Sequence, residues 1–270
     1  MTSSTFAVVT GASSGIGAEL ALLLAADGFD LMLTAEDGEG GDGLEAVAVR
    51  CRAAGVEAQT FRADLRSFDG VQALYEAVIA TGQPVDVAAV NAGVGRGGAF
   101  VDTDLADLLE VVHLNVASTV HLTRLLLGDM VARNAGRLLL TSSIASTMPG
   151  SFQAVYNASK SFVQSLAVAL QDELKDSAVT VTSLMPGPTE TNFFHRAGMD
   201  DTRIGQAKKD DPADVAQQGY AALMAGDDRV VAASAMTKAQ ELAAKVLPDK
   251  VKAALHRKMA EPKDDEGTGA

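Results

Sequence analysis

At 270 residues and 27.8 kDa, with 47% apolar residues and a mean hydropathy of +0.13, the chain carries enough core material for one large domain or two small ones. A net charge of −13 and a pI near 4.7 set it against nucleic-acid phosphate, and a single cysteine, Cys51, excludes an internal disulfide framework. No apolar run reaches the roughly 18 residues a membrane span needs, and residues 1–5 lack the basic start of a signal peptide, so a soluble, cytoplasmic protein is expected.

The β-branched run 6–10 breaks into Gly11-Ala12-Ser13-Ser14-Gly15-Ile16-Gly17, and helical sequence follows over 18–28. Strand, glycine turn and helix in that order open a βαβ unit with a buried parallel strand. Strand-like runs recur at 31–35, 58–62, 85–90, 137–141, 179–184 and 229–232, separated by segments with helical periodicity. Seven strands alternating with helices, without a charge block or proline-rich linker, predict an α/β fold: one doubly wound parallel sheet with helices on both faces, in a single domain over 1–235. Three stretches break the regularity. Residues 36–43 are all glycine or acidic; 185–199 is a long connection, within a substrate lid read at about 187–210; 261–270 is a polar tail, expected to be disordered, behind a helical extension that starts at 236.

Glycines at 11, 15 and 17 let the backbone turn tightly and approach a pyrophosphate, with the amides of Ser13, Ser14, Gly15 and Ile16 at a helix start facing the anion. The Gly-x-x-x-Gly-x-Gly spacing differs from the general dinucleotide fingerprint, so a generic glycine turn is the competing reading. Further on, Tyr156 and Lys160 stand four apart in helical sequence and share one face, one turn from each other. An ammonium close to a phenol favours the phenolate and draws its pKa down from about 10 toward neutrality. Exposed pairs of this kind are common, so this one takes its meaning from the motifs upstream.

Those motifs are Thr10-Gly11 to Gly17, Asp64-Leu65, Asn91-Ala92-Gly93, Asn115, Ser143, Tyr156 with Lys160, and Pro186-Gly187 with Thr191. In order and interval they resemble the short-chain dehydrogenase/reductase family over positions 10 to 191. The resemblance implies a Rossmann-type, NAD(P)-dependent oxidoreductase that transfers hydride between the cofactor and a secondary alcohol or ketone. By that resemblance Ser143 would hydrogen-bond the reacting oxygen, and Tyr156 would be the general acid/base. Lys160 would lower the tyrosine pKa and bond the nicotinamide ribose. Ser142 is the adjacent alternative to Ser143; the two point to opposite faces of a strand, and the 13-residue interval to Tyr156 selects Ser143. Asn115 would interrupt its helix so that a water joins the lysine to solvent; otherwise it is an exposed or kinking helical Asn. Asp64 would accept from the adenine amino group, with the Leu65 amide alongside, unless it caps the helix that follows. The backbone of Asn91, Ala92 and Gly93 would lie under the adenosine ribose. Pro186, Gly187 and Thr189 would face the nicotinamide carboxamide and Thr191 would bond it, although Thr189 stands where the family usually has a β-branched apolar residue.

Cofactor choice falls to the acidic stretch after the second strand. Glu36 or Asp37 can accept from a ribose 2′-hydroxyl and would repel a phosphate, and no Arg or Lys stands there or in the glycine loop. NAD is therefore expected, with NADP as the alternative, although the family's NAD-selecting Asp aligns with Ala35. Phe193, Phe194 and Met199 are candidates for a pocket ceiling and Phe152 and Met148 for walls, with core packing as the competing reading. His195 stands without other metal ligands, so no metal site is expected. Asp211-Pro212 reads as a helix start. The stretch 238–258 holds six Lys/Arg with apolar Leu242, Val246, Leu247, Val251 and Leu255; it reads as a membrane-surface segment, a subunit contact or a surface helix pair. In the family the helices corresponding to 105–127 and 155–176 mediate association, which implies a homodimer or homotetramer. A non-catalytic dinucleotide-binding or scaffold protein retaining the fold is the competing function.

Overall fold

In the computed structural model, residues 5–36, 43–232 and 247–262 are described. Seven strands, β1 Phe6–Thr10, β2 Asp30–Ala35, β3 Ala58–Arg62, β4 Val85–Val90, β5 Gly136–Thr141, β6 Val179–Pro186 and β7 Arg229–Ala232, form one sheet in the order β3-β2-β1-β4-β5-β6-β7. Every pairing is parallel. The sheet is the one the alternation predicts. Strand order reverses between β1 and β4, and at such a switch point an open sheet leaves a crevice outside the strand ends.

Alternation along β1 shows how both faces are covered. Ala7 and Val9 point into a core shared with α1 (Gly15–Ala26), α2 (Gly43–Ala53) and α9 (Pro212–Ala225), while Phe6 and Val8 point into a second core. That second core is closed by α3 (Phe68–Ala80), α5 (Thr119–Ala132) and α6 (Ala154–Glu173) through Leu74, Leu122, Leu126 and Val163. Each such leucine, fully buried, contributes about 2 kcal/mol of transfer free energy. Cys51 is buried in α2, and burial pushes its thiol pKa up, which makes it a packing residue.

Three local differences from the sequence reading have physical causes. Helix α1 begins at Gly15, three residues before the predicted start, because the glycine turn supplies its first turn. The long helical stretch is not one regular helix: α4 (Leu105–Val112) and α5 are joined by a π-helical turn, His113–Ser118, that carries Asn115. Strand β6 runs on to Pro186, whose partner is Ala232, so Pro186 belongs to the sheet's carboxyl edge. The segment 238–246 lies outside the described residues; α10 (Asp249–Ala260) packs on its own chain through His256 and Ala260. Val251 and Leu255 of the apolar pattern stay exposed. Helix α9 starts as predicted, with the Asp211 carboxylate accepting from the Ala213 amide at 2.8 Å and Pro212 in its first turn. Among the described residues no helix is long and apolar enough to cross a membrane.

Candidate active site

At the switch point lies a cleft of about 850 Å³. Its floor at one end is the glycine turn. Gly11 and Gly15 have φ of +67° and +57°, and a Cβ on Gly17 would stand 2.2 Å from the Gly11 carbonyl oxygen, so the turn closes only with glycine there. Ser14, at the N-cap of α1, makes no side-chain cap, and the first turn contains no acidic residue. The helix therefore presents uncapped amides and its positive dipole end to the cleft, which suits a diphosphate. Gly11, Ser13, Ser14, Gly15 and Ile16 line the cleft, while Gly17 lies beneath it as packing.

The strand ends beside the turn are latched by side chains. Thr10 Oγ1 accepts from the amides of Asn91 and Ala92, both at 2.9 Å; Asn91 Nδ2 donates to the Thr10 carbonyl at 3.1 Å, and Thr141 Oγ1 donates to Asn91 Oδ1 at 3.0 Å. The Asn91 side chain is thus committed to holding β1, β4 and β5 in register. Only its backbone, with that of Ala92 and Gly93, is left to face a ligand. Asp64 does not cap α3, since Ser67 fills that position and accepts from the Gly70 amide. Instead Arg66, a residue the sequence reading overlooked, grips Asp64 through Nε at 2.7 Å and also binds Glu36 and Glu110. The hydrogen bond from Arg66 holds the Asp64 carboxyl below its ordinary pKa. Residue 37 lies outside the described residues, so the acidic group observed at the end of β2 is Glu36. Arg66 escaped notice because only the parallel pairing of β2 with β3 brings it beside Glu36.

Ser143, Tyr156 and Lys160 converge in the middle of the cleft. A short 3₁₀ turn, Ile144–Thr147, begins at Ser143, and Asn157 Nδ2 donates to the Ala145 and Met148 carbonyls at 3.1 Å, pinning this turn to α6. Ser142 is turned away and donates to the Lys160 carbonyl at 3.0 Å, so Ser143 is the serine that reaches the cleft near Tyr156. The Lys160 ammonium donates to the Thr141 carbonyl at 2.9 Å and stands 5.9 Å from the centre of the Tyr156 ring. The lowered tyrosine pKa predicted from the pair is corrected here. Burial pushes Tyr156 up to about 12, opposed by its hydrogen bond with Ser143, and burial pushes Lys160 down to about 8. Asn115 is 1% exposed, accepts from the Val94 amide at 3.0 Å, and donates to the Val94 carbonyl at 2.9 Å and to Ser159 Oγ at 3.0 Å. A Cβ on Gly93 would lie 3.1 Å from Lys160 Nζ and 3.2 Å from Asn115 Oδ1; glycine keeps that space open.

Beyond Tyr156 the cleft is lined by the connection that follows β6. Thr191 Oγ1 accepts from the Phe193 amide at 3.2 Å, while its methyl group approaches Gly15 so closely that a Cβ there would be 2.7 Å away. Thr189 fits at the position usually held by an apolar residue because its hydroxyl is satisfied by the Gly187 carbonyl at 2.9 Å. Of the predicted ceiling, Phe193 and Phe194 line the cleft, and the Phe193 ring lies 5.1 Å from that of Tyr156. Met199 is fully buried in a small cluster with Ala260, and Phe152 packs at its edge, so for these two the core reading is correct; Met148 lines the cleft. His195 is a surface residue paired with Asp200, and no metal-binding cluster exists among the described residues. Among the cleft residues that carry no motif and were not foreseen are Gln153 and His256.

Residues 5–201 match the sequence model of the family described as short chain dehydrogenase. The chain belongs to that family. This short-chain dehydrogenase is 33% identical over 190 residues, covering 70% of its own length and 77% of the relative, to an uncharacterized oxidoreductase, YmfI, of Bacillus subtilis. Over 202 residues it is 30% identical to the ketoacyl reductase HetN of a Nostoc species, covering 74% of this chain and 68% of that one. Among solved structures it resembles a metagenomic short-chain oxidoreductase in complex with NADP, with a TM-score of 0.69 and 32% identity over 84% of this chain and 96% of the other. It is an NAD(P)-dependent oxidoreductase acting on CH–OH and C=O groups.

Proposed function

We propose that this short-chain dehydrogenase interconverts a secondary alcohol and a ketone with Tyr156 as general acid/base. The convergence of Ser143, Tyr156 and Lys160 in one cleft with an uncapped helix N-terminus carries the reading. The glycine turn would hold the pyrophosphate, Leu65 and Asp64 the adenine, the backbone of 91–93 the adenosine ribose, and Pro186, Gly187, Thr189 and Thr191 the nicotinamide side. A bound nicotinamide supplies or accepts the hydride. The chain's own groups handle the oxygen and the proton. As charge develops on the carbonyl oxygen, the Ser143 hydroxyl donates to it and Tyr156 gives up its proton. A phenol raised to about 12 is fully protonated at neutral pH, the form needed for reduction. The Lys160 ammonium, fixed by Thr141, stabilises the phenolate that remains. Asn115 is a positioning residue: it ties the loop after β4 to α6 across the π-helical turn, and that turn would open the path by which a water relays protons from Lys160.

NAD is the preferred cofactor in this reading. Around the Glu36 end of the cleft, four carboxylates (Glu36, Asp64, Asp107 and Glu110) share two guanidiniums, Arg66 and Arg96, so a 2′-phosphate would enter an acidic site whose cations are already paired. A 2′-hydroxyl could donate to Glu36. Absorbance of the reduced nicotinamide, followed with a panel of ketones and alcohols and with NADH and NADPH in parallel, tests both parts. Turnover with NADH favoured is expected; cofactor binding with no turnover would support the non-catalytic reading, and a large NADPH advantage would overturn the cofactor assignment.

A further inference from the structure

Helix α10 enters the wall of the cleft at the end away from the glycine turn. It is clamped to the loop between Ser143 and Tyr156: Ser151 Oγ donates to the Ala253 carbonyl at 3.2 Å, Lys252 Nζ approaches the Thr147 carbonyl at 3.4 Å, and the Arg257 guanidinium lies 5.2 Å over the Phe152 ring. Phe152 sits at φ +65°, a conformation that a bulky residue keeps only when its surroundings enforce it. The Gly98 amide, donating to the Phe152 carbonyl at 3.0 Å, and the Arg257 contact provide that enforcement.

Two polar side chains emerge from this arrangement into the cleft. His256 is 3% exposed and Gln153 is 4% exposed, and both line the cavity. His256 Nδ1 lies 2.8 Å from the Ser151 carbonyl oxygen, which can only accept, so Nδ1 carries the hydrogen. With no further partner among the described residues, Nε2 of the neutral ring is an acceptor open to the cleft. Burial lowers the His256 pKa below its ordinary value, in agreement. The Gln153 side-chain amide likewise has no hydrogen-bond partner among the described residues. The same cleft is lined by Met148, Phe194, Ile204 and Met259, and neither polar group is sealed off: both open on the cavity, where a ligand can reach them.

We propose that Gln153 and His256 form a second recognition point for the substrate, reading a hydroxyl that it carries beyond the reacting carbon: His256 Nε2 accepts from that hydroxyl and the Gln153 amide donates to it. The choice of group follows from the donor pattern. A carboxylate or a second ketone would set acceptor against acceptor at His256, whereas a hydroxyl satisfies both side chains. The substrate class is therefore a hydroxy-ketone, or the corresponding diol in the oxidative direction. This inference rests on the alcohol/ketone reading of the cleft.

The test uses the full chain with its preferred cofactor and a homologous series from butan-2-one to octan-2-one, each beside the same ketone bearing a terminal hydroxyl. At least one hydroxy-ketone should exceed its plain partner in kcat/KM by about tenfold, the value of one good buried hydrogen bond. That ratio should fall toward unity in His256→Phe and in Gln153→Leu. Thermal melting checks that each variant folds; if His256→Phe does not, because its bond to Ser151 is lost, Gln153→Leu still decides. Equal kcat/KM within every pair for the native chain, or a preference that survives the substitutions, would overturn the inference while leaving the oxidoreductase reading intact. Turnover of none of the ketones despite cofactor binding would overturn both.

Discussion

Burial moves Tyr156 and Lys160 in opposite directions, the phenol up to about 12 and the ammonium down to about 8. Ketone reduction in the proposed mechanism needs a neutral Tyr156 and a charged Lys160, so kcat for reduction should be level below pH 7 and decline as pH rises through about 8. A profile that is flat to pH 10 would contradict that assignment. The same shift has a consequence for stability. Lys160 has a folded pKa below its ordinary 10.5, so between about 8 and 10.5 the unfolded chain binds more protons and stability rises with pH. Lys160→Met removes this contribution. Its melting temperature relative to the native chain should be highest at pH 7 and the gap should shrink toward pH 10; above that, the raised Tyr156 pKa acts with the opposite sign, because stability falls from pH 10 to about 12. Glu36 offers a separate test at the other end of the cleft. Glu36→Ala removes one of the three carboxylates held by Arg66 and frees the guanidinium for a phosphate, so the ratio of NADPH to NADH affinity should rise by about tenfold, measured by fluorescence titration. No change in the ratio would remove Arg66 and Glu36 from cofactor choice.

At the level of elements, the glycine turn followed by α1 is the most demanding piece of geometry in the chain. Gly17→Ala places a Cβ 2.2 Å from the Gly11 carbonyl, so the turn must open; a stability loss of about 2–4 kcal/mol and loss of cofactor binding are expected from chemical denaturation and titration. The order of elements was legible because buried parallel strands read as continuous apolar runs, and β1 and β4 begin and end where those runs do. The residues that line the cleft by motif were legible for the same reason: turn glycines, Ser143 and the Tyr156–Lys160 spacing are local. Arg66, Gln153 and His256 were not, because each acquires its role from a neighbour distant in sequence. The docked face of α10 was not legible for a related cause. Its buried side includes Lys252, only 13% exposed, and His256, bonded to backbone, so no apolar stripe marks it.

For the molecule as a whole, the family assignment and the single doubly wound sheet place every candidate group at one edge, leaving the outer helices for association. Helices α4 and α5 expose Leu105, Leu109, Val112 and Val120, and α6 exposes Phe162 and Val168, apolar side chains left partly uncovered by the described residues. A homodimer or homotetramer is therefore proposed; light scattering should give a mass of two or four chains, and Leu109→Arg should shift it toward one. The central claim, that Tyr156 moves the proton, is tested most directly by Tyr156→Phe, which removes one hydroxyl and keeps the ring against Phe193. Titration of the reduced cofactor should give an affinity within about threefold of the native chain, while single-turnover ketone reduction falls by roughly 10²–10⁴-fold. Reduction at an undiminished rate with cofactor bound would contradict the account.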